Sequence, residues 1–191
     1  MPRAANLRDV TNGVLYDTQT VATSGTLKLT FFQQGRGNGI YLTNLRTPGQ
    51  MPHPEAFIVR SIRIGVLFSG TYLTGAVAAT HTLVSEWIEI IHLASVYFEV
   101  GSKPYLDYWP MHMFNLGQSH AATNFGPNTA TAAALYMGSG TPGAVINLAH
   151  PIRLNPNEPF RGEIQWQLNP TPANAQSIQW ILGGTWIRAV Q

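Results

Sequence analysis

The chain contains no cysteine, which excludes disulfides, zinc knuckles and thiol catalysis. Charge is nearly as scarce. Only 10% of the 191 residues are Asp, Glu, Lys or Arg, against about 25% in ordinary soluble domains. A monomer of this size stays dispersed through a surface that is roughly 25–35% charged. Much of this chain's outside must therefore be Asn, Gln, Ser, Thr, Gly and apolar groups. Such a surface suits a protein that spends its time against copies of itself. No apolar run approaches the roughly 18 residues of a membrane-spanning helix, and the first residues lack the apolar core of a signal peptide. Synthesis in a cytoplasm is the expectation. The net charge of +2 is too small for a strong nucleic-acid footprint, so no sequence-specific nucleic-acid partner is expected. Arg3 and Arg8 make the N-terminus slightly basic, either as an arm or as a frayed, solvated end.

What is present is enough for one folded domain. The hydrophobic share is 45%, and a chain of this length can bury a sizeable core. Strand signals dominate. The run from Leu27 to Gln34 leads through Gly35-Arg36-Gly37-Asn38-Gly39 into Ile40 to Leu45. Asn38-Gly39 is a type I′ turn signal, because both residues accept positive φ cheaply, and it predicts a hairpin. Thr47 to Pro54 breaks regular structure. Phe57 to Phe68 reads as a long strand with Ile58, Ile62, Ile64, Val66 and Phe68 on one face and Arg60 as the exception. A Gly/Thr-rich turn covers 69–80. Thr82 to Leu93 has helical spacing in Leu83, Val84, Trp87, Ile88 and Ile91, although its β-branched content leaves a strand as the alternative.

Val96 to Val100 alternates and turns at Gly101 to Pro104; Tyr105 to Phe114 reads as extended. Residues 118–144 are rich in Ala, Thr, Gly and Ser and predict a long projecting loop holding a short helix or hairpin. Phe160 to Leu168 is the clearest strand, with Phe160, Gly162, Ile164, Trp166 and Leu168 inward and Arg161, Glu163, Gln165 and Gln167 outward. Ile178 to Val190 closes the chain. The expected fold is all-β: an antiparallel jelly-roll sandwich or barrel of about eight strands with one short inserted helix. Residues 1–25 are expected to be an N-terminal arm that orders on assembly, and 26–191 a single jelly-roll domain.

The search for chemistry assigns no catalytic, cofactor-binding or metal-binding residue. Six histidines (His53, His81, His92, His112, His120 and His150) lack the His-x-His pair and following Glu of a cupin-type metal centre. His53 and His150 precede prolines, which favours loops, and His112 is expected in a strand. Glu86 and Glu89 read as a solvated helix face; Glu99 and Glu163 read as surface partners of Lys103 and Arg161 rather than paired catalytic carboxylates. Gly138-Ser139-Gly140 lacks the Gly-x-Ser-x-Gly pattern, and Gly35, Gly37 and Gly39 lack the Lys-Ser/Thr ending of a phosphate loop. Trp87, Trp109, Trp166, Trp180 and Trp186 could stack on sugars, but period-two placement favours packing for most of them.

Three stretches carry a resemblance. Leu42 to Leu45 leads through Gly49-Gln50-Met51-Pro52-His53-Pro54 into Phe57-Ile58-Val59. Tyr97-Phe98-Glu99-Val100-Gly101 is followed by Lys103-Pro104-Tyr105-Leu106. His150 to Leu154 runs through Asn157-Glu158-Pro159-Phe160 to Trp166, with Gly183 to Arg188 at the end. In order and texture these resemble the single jelly-roll major capsid proteins of tailless, icosahedral, lipid-containing phages and archaeal viruses. The resemblance implies a virion subunit without enzymatic activity or cofactor, made in the host cytoplasm. Its partners would be copies of itself in trimers or hexamer-like capsomers, and other capsid proteins, over an internal membrane. Arg60, Arg63, Arg153, Arg161 and Arg188 are the candidates for charge-assisted pairing within or between subunits. The charge-poor stretches 46–56, 69–80 and 118–150 are expected to be covered by neighbouring subunits. A glycan- or receptor-binding β-sandwich and a cupin-like metalloenzyme are the competing readings.

Overall fold

A computed structural model describes residues 8–35, 37, 39–67, 89–114, 120–122, 135–137, 145–172 and 175–189. Ten strands are defined in chain order. They are β1 (Arg8–Val21), β2 (Lys28–Phe31), β3 (Ala56–Leu67), β4 (Ala94–Val100) and β5 (Lys103–Pro110), then β6 (His120–Ala122), β7 (Leu135–Met137), β8 (Ile146–Leu154), β9 (Phe160–Trp166) and β10 (Gln176–Ala189). Eight of them form two antiparallel sheets. Sheet A has the order β1-β10-β3-β8 and sheet B the order β2-β9-β4-β5; β6 and β7 pair separately. Every step along these eight strands passes from one sheet to the other except β4 to β5. That interleaving is the jelly-roll order, so the all-β expectation holds.

The apolar alternation explains the two-layer packing. Leu29 and Phe31 of β2, Val96, Phe98 and Val100 of β4, and Phe160, Ile164 and Trp166 of β9 are all buried. From sheet A, Leu15, Ile62, Ile64, Val66, Ile178, Trp180 and Leu182 meet them. Trp180 is the largest fully buried side chain, with the rings of Phe31, Phe98 and Phe32 at 5.4, 6.0 and 6.2 Å. Gly162 lies under it: a Cβ there would stand 2.8 Å from the Trp180 ring. The absent side chain on β9 is what admits the indole between the sheets.

Several local expectations change. Residues 8–21 are not an arm: they form a 14-residue strand whose every position pairs with β10, from Arg8↔Ala189 to Val21↔Gln176. The alternation is hidden in the sequence because inward position 17 is Asp and the outer positions are Asn, Thr and Val. The expected hairpin ladder is absent among the described residues: 28–31 pair with β9 and not with 40–45, and Asn38 lies outside those residues. β2 ends at Phe31, which pairs with Gly162, and Phe32 turns the chain away with φ 65°. A distant partner strand, β9, outcompetes the local turn signal. In β3 the inward residues are Phe57 and Val59, then Ile62, Ile64 and Val66. The phase changes at Arg60, where the register with β8 slips, so Ile58 faces outward. The same extra residue in β3 shifts its register with β10 between Gly183 and Gly184. A Cβ on Gly184 would fall 1.9 Å from the Ile58 carbonyl oxygen, so only glycine fits.

Met111–Phe114 is a 3-10 turn rather than strand, and buries Met111 and Phe114. Residues 89–92 are helical, in line with the end of the expected helix; 82–88 lie outside the described residues. Of the 118–144 loop, β6 and β7 form a short antiparallel ladder, the rest lying outside the described residues. Leu168 is exposed beyond the end of β9.

Candidate functional site

The candidate catalytic chemistry disperses in the fold. Among the described residues no three His, Asp or Glu side chains are grouped to hold a metal ion. His53 is exposed in a turn before cis Pro54. His150 is exposed too, but in strand β8 instead of a loop. His92 and His112 stack with centroids 5.5 Å apart and planes 15° from parallel, a contact across 20 residues that no spacing rule foretells. His81 and the His120 side chain lie outside the described residues, as do Glu86, Trp87 and Gly138 to Gly140. Trp166 and Trp180 are core residues, and Trp166 donates its ring N–H to the Ile90 carbonyl at 2.8 Å. Trp186 is half-buried against Phe57, and Trp109 is exposed beside Phe114. The four described tryptophans make no shared platform. Gly35 lies beside Pro48, and among the described residues the chain beyond Gly39 turns back through residues 40–42 with no helix; Arg36 and Asn38 lie outside them.

The ionic chemistry is concentrated on the outer face of sheet B. On β9, Arg161 and Glu163 point away from the core, opposite Glu99 and Tyr97 of β4. Arg161 Nε lies 2.6 Å from Glu99 Oε1 and 3.5 Å from Glu163 Oε1, while Lys28 Nζ approaches Glu163 at 2.8 Å. Glu163 is only 3% exposed. It is buried beneath its neighbours on that face, not in the core. The Tyr97 hydroxyl donates to Glu99 Oε2 at 2.7 Å, and that bond raises the phenol above its ordinary pKa. Lys103 does not join this network; its ammonium sits 4.9 Å over the Tyr105 ring. The expected acid–Arg161 pairing is therefore present, with Lys28 as the unforeseen second cation.

A second cluster ties the 46–56 segment to the end of β10. Glu55 Oε1 receives Arg46 at 2.9 Å and Arg188 at 3.5 Å, and the Arg188 guanidinium lies 5.2 Å over Trp186. The segment also bridges Gln50 to Pro159 and Met51 to Pro156, with Met51 fully buried. Within the subunit only Met51 and Ala56 of this stretch are buried, while Arg46, Pro48, His53 and Pro54 stay exposed. Stretches 69–80 and 123–134 lie outside the described residues.

Asp17, unremarkable in the sequence, is fully buried on the inner face of β1. It accepts the N–H of Phe32, the N–H of Thr18 at 3.1 Å and the Gln19 amide at 3.2 Å. Burial pushes its pKa above the ordinary carboxylate value, and these donors work against that rise. Asp17 pins the chain where it leaves β2. The same chain then returns over β1: Asn44 accepts the Tyr16 N–H at 2.9 Å and donates to the Val14 carbonyl at 2.8 Å, and Thr43 Oγ1 donates to the Tyr16 carbonyl at 3.0 Å.

The outer face of sheet A differs in kind. Register places Val10, Asn12, Val14 and Tyr16 of β1 there, with Gln179, Ile181, Gly183 and Thr185 of β10 and Ile58, Ser61 and Arg63 of β3. Arg60 Nε reaches Thr185 Oγ1 at 3.4 Å, and Arg153 sits opposite Ile58. These three arginines are set among neutral and β-branched residues without an acid at the paired positions. No protein-family model, no curated protein sequence and no solved structure matches the chain.

Proposed function

We propose that the chain is a structural virion protein: a non-enzymatic capsid subunit that self-assembles through jelly-roll interfaces into an icosahedral shell. The supporting observation is the pairing of an eight-stranded jelly roll with a sheet A whose outer face combines exposed valines, half-buried isoleucines and amide side chains with three arginines and no paired acid. A face of that kind is covered at little desolvation cost, because few charges have to be stripped of water. Shells built from such subunits need large contacts more than polar surface, which accords with the low overall charge. Concentrating the purified protein and following it by sedimentation and negative-stain microscopy tests this reading. Capsomers or closed shells are the expected result; a strict monomer at millimolar concentration overturns it.

One observation favours a second reading, a glycan-binding β-sandwich. Strand β5 exposes Tyr105, Tyr108 and Trp109, and Tyr108 holds φ 53° within 5.2 Å of the Tyr97 ring. Quenching of Trp109 fluorescence by oligosaccharides, lost in Tyr108→Ala, would promote it over the shell.

A further inference from the structure

The β1 edge is filled along only part of its length. Tyr16 bonds outward to Asn44 with its N–H, and its carbonyl accepts the Asn44 N–H at 3.3 Å. Because β1 pairs with β10 without a slip, the backbone groups of the other even positions, Val10 and Asn12 among them, also point away from β10. From Val14 onward the adjacent lane is taken by residues 43 and 44. Among the described residues nothing occupies it at Val10 and Asn12. Natural edges are blunted by charge, proline or a bulge; residues 10–13 carry none of these, the two charges standing at positions 8 and 9. Four of the most exposed apolar side chains flank this open stretch: Val10 at 61%, Val14 at 45%, Ile40 at 60% and Tyr41 at 76%. The Tyr16 hydroxyl, donating to the Ile40 carbonyl, brings the last two to the same side.

We propose that the open edge of β1 pairs antiparallel with the same stretch of a second copy, about a two-fold axis beside Val10, joining two four-stranded sheets into one of eight. The pairing rests on the self-assembly reading and names one of its contacts. The residues themselves select the partner and the register. With Val10 opposite Val10, position 8 meets Asn12 and Asp9 meets Thr11, so no like charges face each other and about six backbone hydrogen bonds form. A shift of the partner by two residues in one direction sets Asp9 against Asp9, which repels. The opposite shift sets position 8 against Val14, whose carbonyl Asn44 already holds. A shift by one residue opposes bonded to unbonded positions. Only the register centred on Val10 avoids all three. Each copy's 43–44 segment then acts as a stop for the incoming strand, and Val10, Val14, Ile40 and Tyr41 of both copies form one apolar strip along the seam.

The absence of cysteine makes the test clean. In otherwise wild-type protein, Val10→Cys treated with a short bis-maleimide should give mostly cross-linked dimer. Thr20→Cys, exposed at the far end of the same strand, should give at least tenfold less. Val10→Lys, which places two ammonium groups opposite each other on an exposed site, should weaken dimer formation at least tenfold in sedimentation velocity without changing the circular dichroism spectrum. Wild-type protein that assembles while Val10→Cys cross-links no better than Thr20→Cys, or while Val10→Lys assembles normally, overturns the pairing and leaves the shell reading standing. Wild-type protein that never leaves the monomer overturns both.

Discussion

The two sheets of this sandwich finish their surfaces in opposite ways. Sheet B is built of short strands, and its outer face is laced by Lys28, Arg161, Glu163, Glu99 and Tyr97. Its β5 edge carries Pro104 and Pro110 and slips register twice against β4, so it offers no regular ladder to another strand. Sheet A is built of strands 14, 12 and 14 residues long in β1, β3 and β10, and its outer face has arginines without acids. Its β1 edge is regular and, among the described residues, half open. Sheet B pairs its outer charges with one another; on sheet A the outer arginines have no acid at the paired positions, and Arg60 reaches the Thr185 hydroxyl. On the proposed capsid reading, sheet A is the side left for assembly.

That contrast can be broken or sharpened by substitution. The largest effect is expected inside sheet A itself: Gly184→Ala drives a Cβ into the Ile58 carbonyl, which backbone cannot evade. A loss on the order of 3 kcal/mol or more, or failure to fold, should appear in urea denaturation. In sheet B, Arg161→Met leaves Glu99 and the covered Glu163 with less cation. The guanidinium is about half exposed, so the cost should be about 1–2 kcal/mol, and added salt should shrink it. Asn44→Ala uncovers the Tyr16 N–H and the Val14 carbonyl, with an expected loss of about 1 kcal/mol and faster amide exchange at Tyr16. It should also lengthen the open edge and loosen the register of self-pairing.

Acid titration separates the buried carboxylate of sheet A from the rest. Burial raises the Asp17 pKa, so the native chain holds that proton more tightly than the unfolded chain. Asp17's contribution is thus fully present below its ordinary value of 3.8 and is lost as pH climbs through the raised one. Asp17→Asn should flatten the urea midpoint across that window; an unchanged pH profile would show that other groups control it. The smallest effect is expected at the most consequential site. Val10→Lys should leave monomer stability within about 0.5 kcal/mol, because the side chain touches water on all sides that the subunit itself does not fill.

How much was legible follows from which forces are local. β9 was readable because Phe160, Ile164 and Trp166 alternate with Arg161 and Gln165, and the pattern needs no partner to be seen. β3 was half readable: its length is plain, but the phase depends on a bulge at Arg60 that lies opposite Gly183 and Gly184 of the distant β10. β1 was not readable as a strand, since Asp17 occupies an inward position and is tolerated there through donors from Phe32, Thr18 and Gln19. The Glu99–Arg161 pair could be anticipated from strand alternation, whereas Lys28 joins only through the β2–β9 register. The open edge was invisible from sequence, because it is defined by where Asn44 stops.

The pairing of β1 with β10 also carries a consequence for biosynthesis. β10 lies between β1 and β3, so sheet A has no continuous ladder until its residues exist. At about 5–20 residues per second, the ribosome needs on the order of ten seconds or more to go from Val21 to Gln176. Throughout that interval β1 has two unpaired edges instead of one. Sheet B, whose β4–β5 turn is local and whose β9 precedes β10, can close first and hold the nascent chain. Under the proposed edge pairing, the strand offered to a second copy is thus the one that waits longest for its own partner.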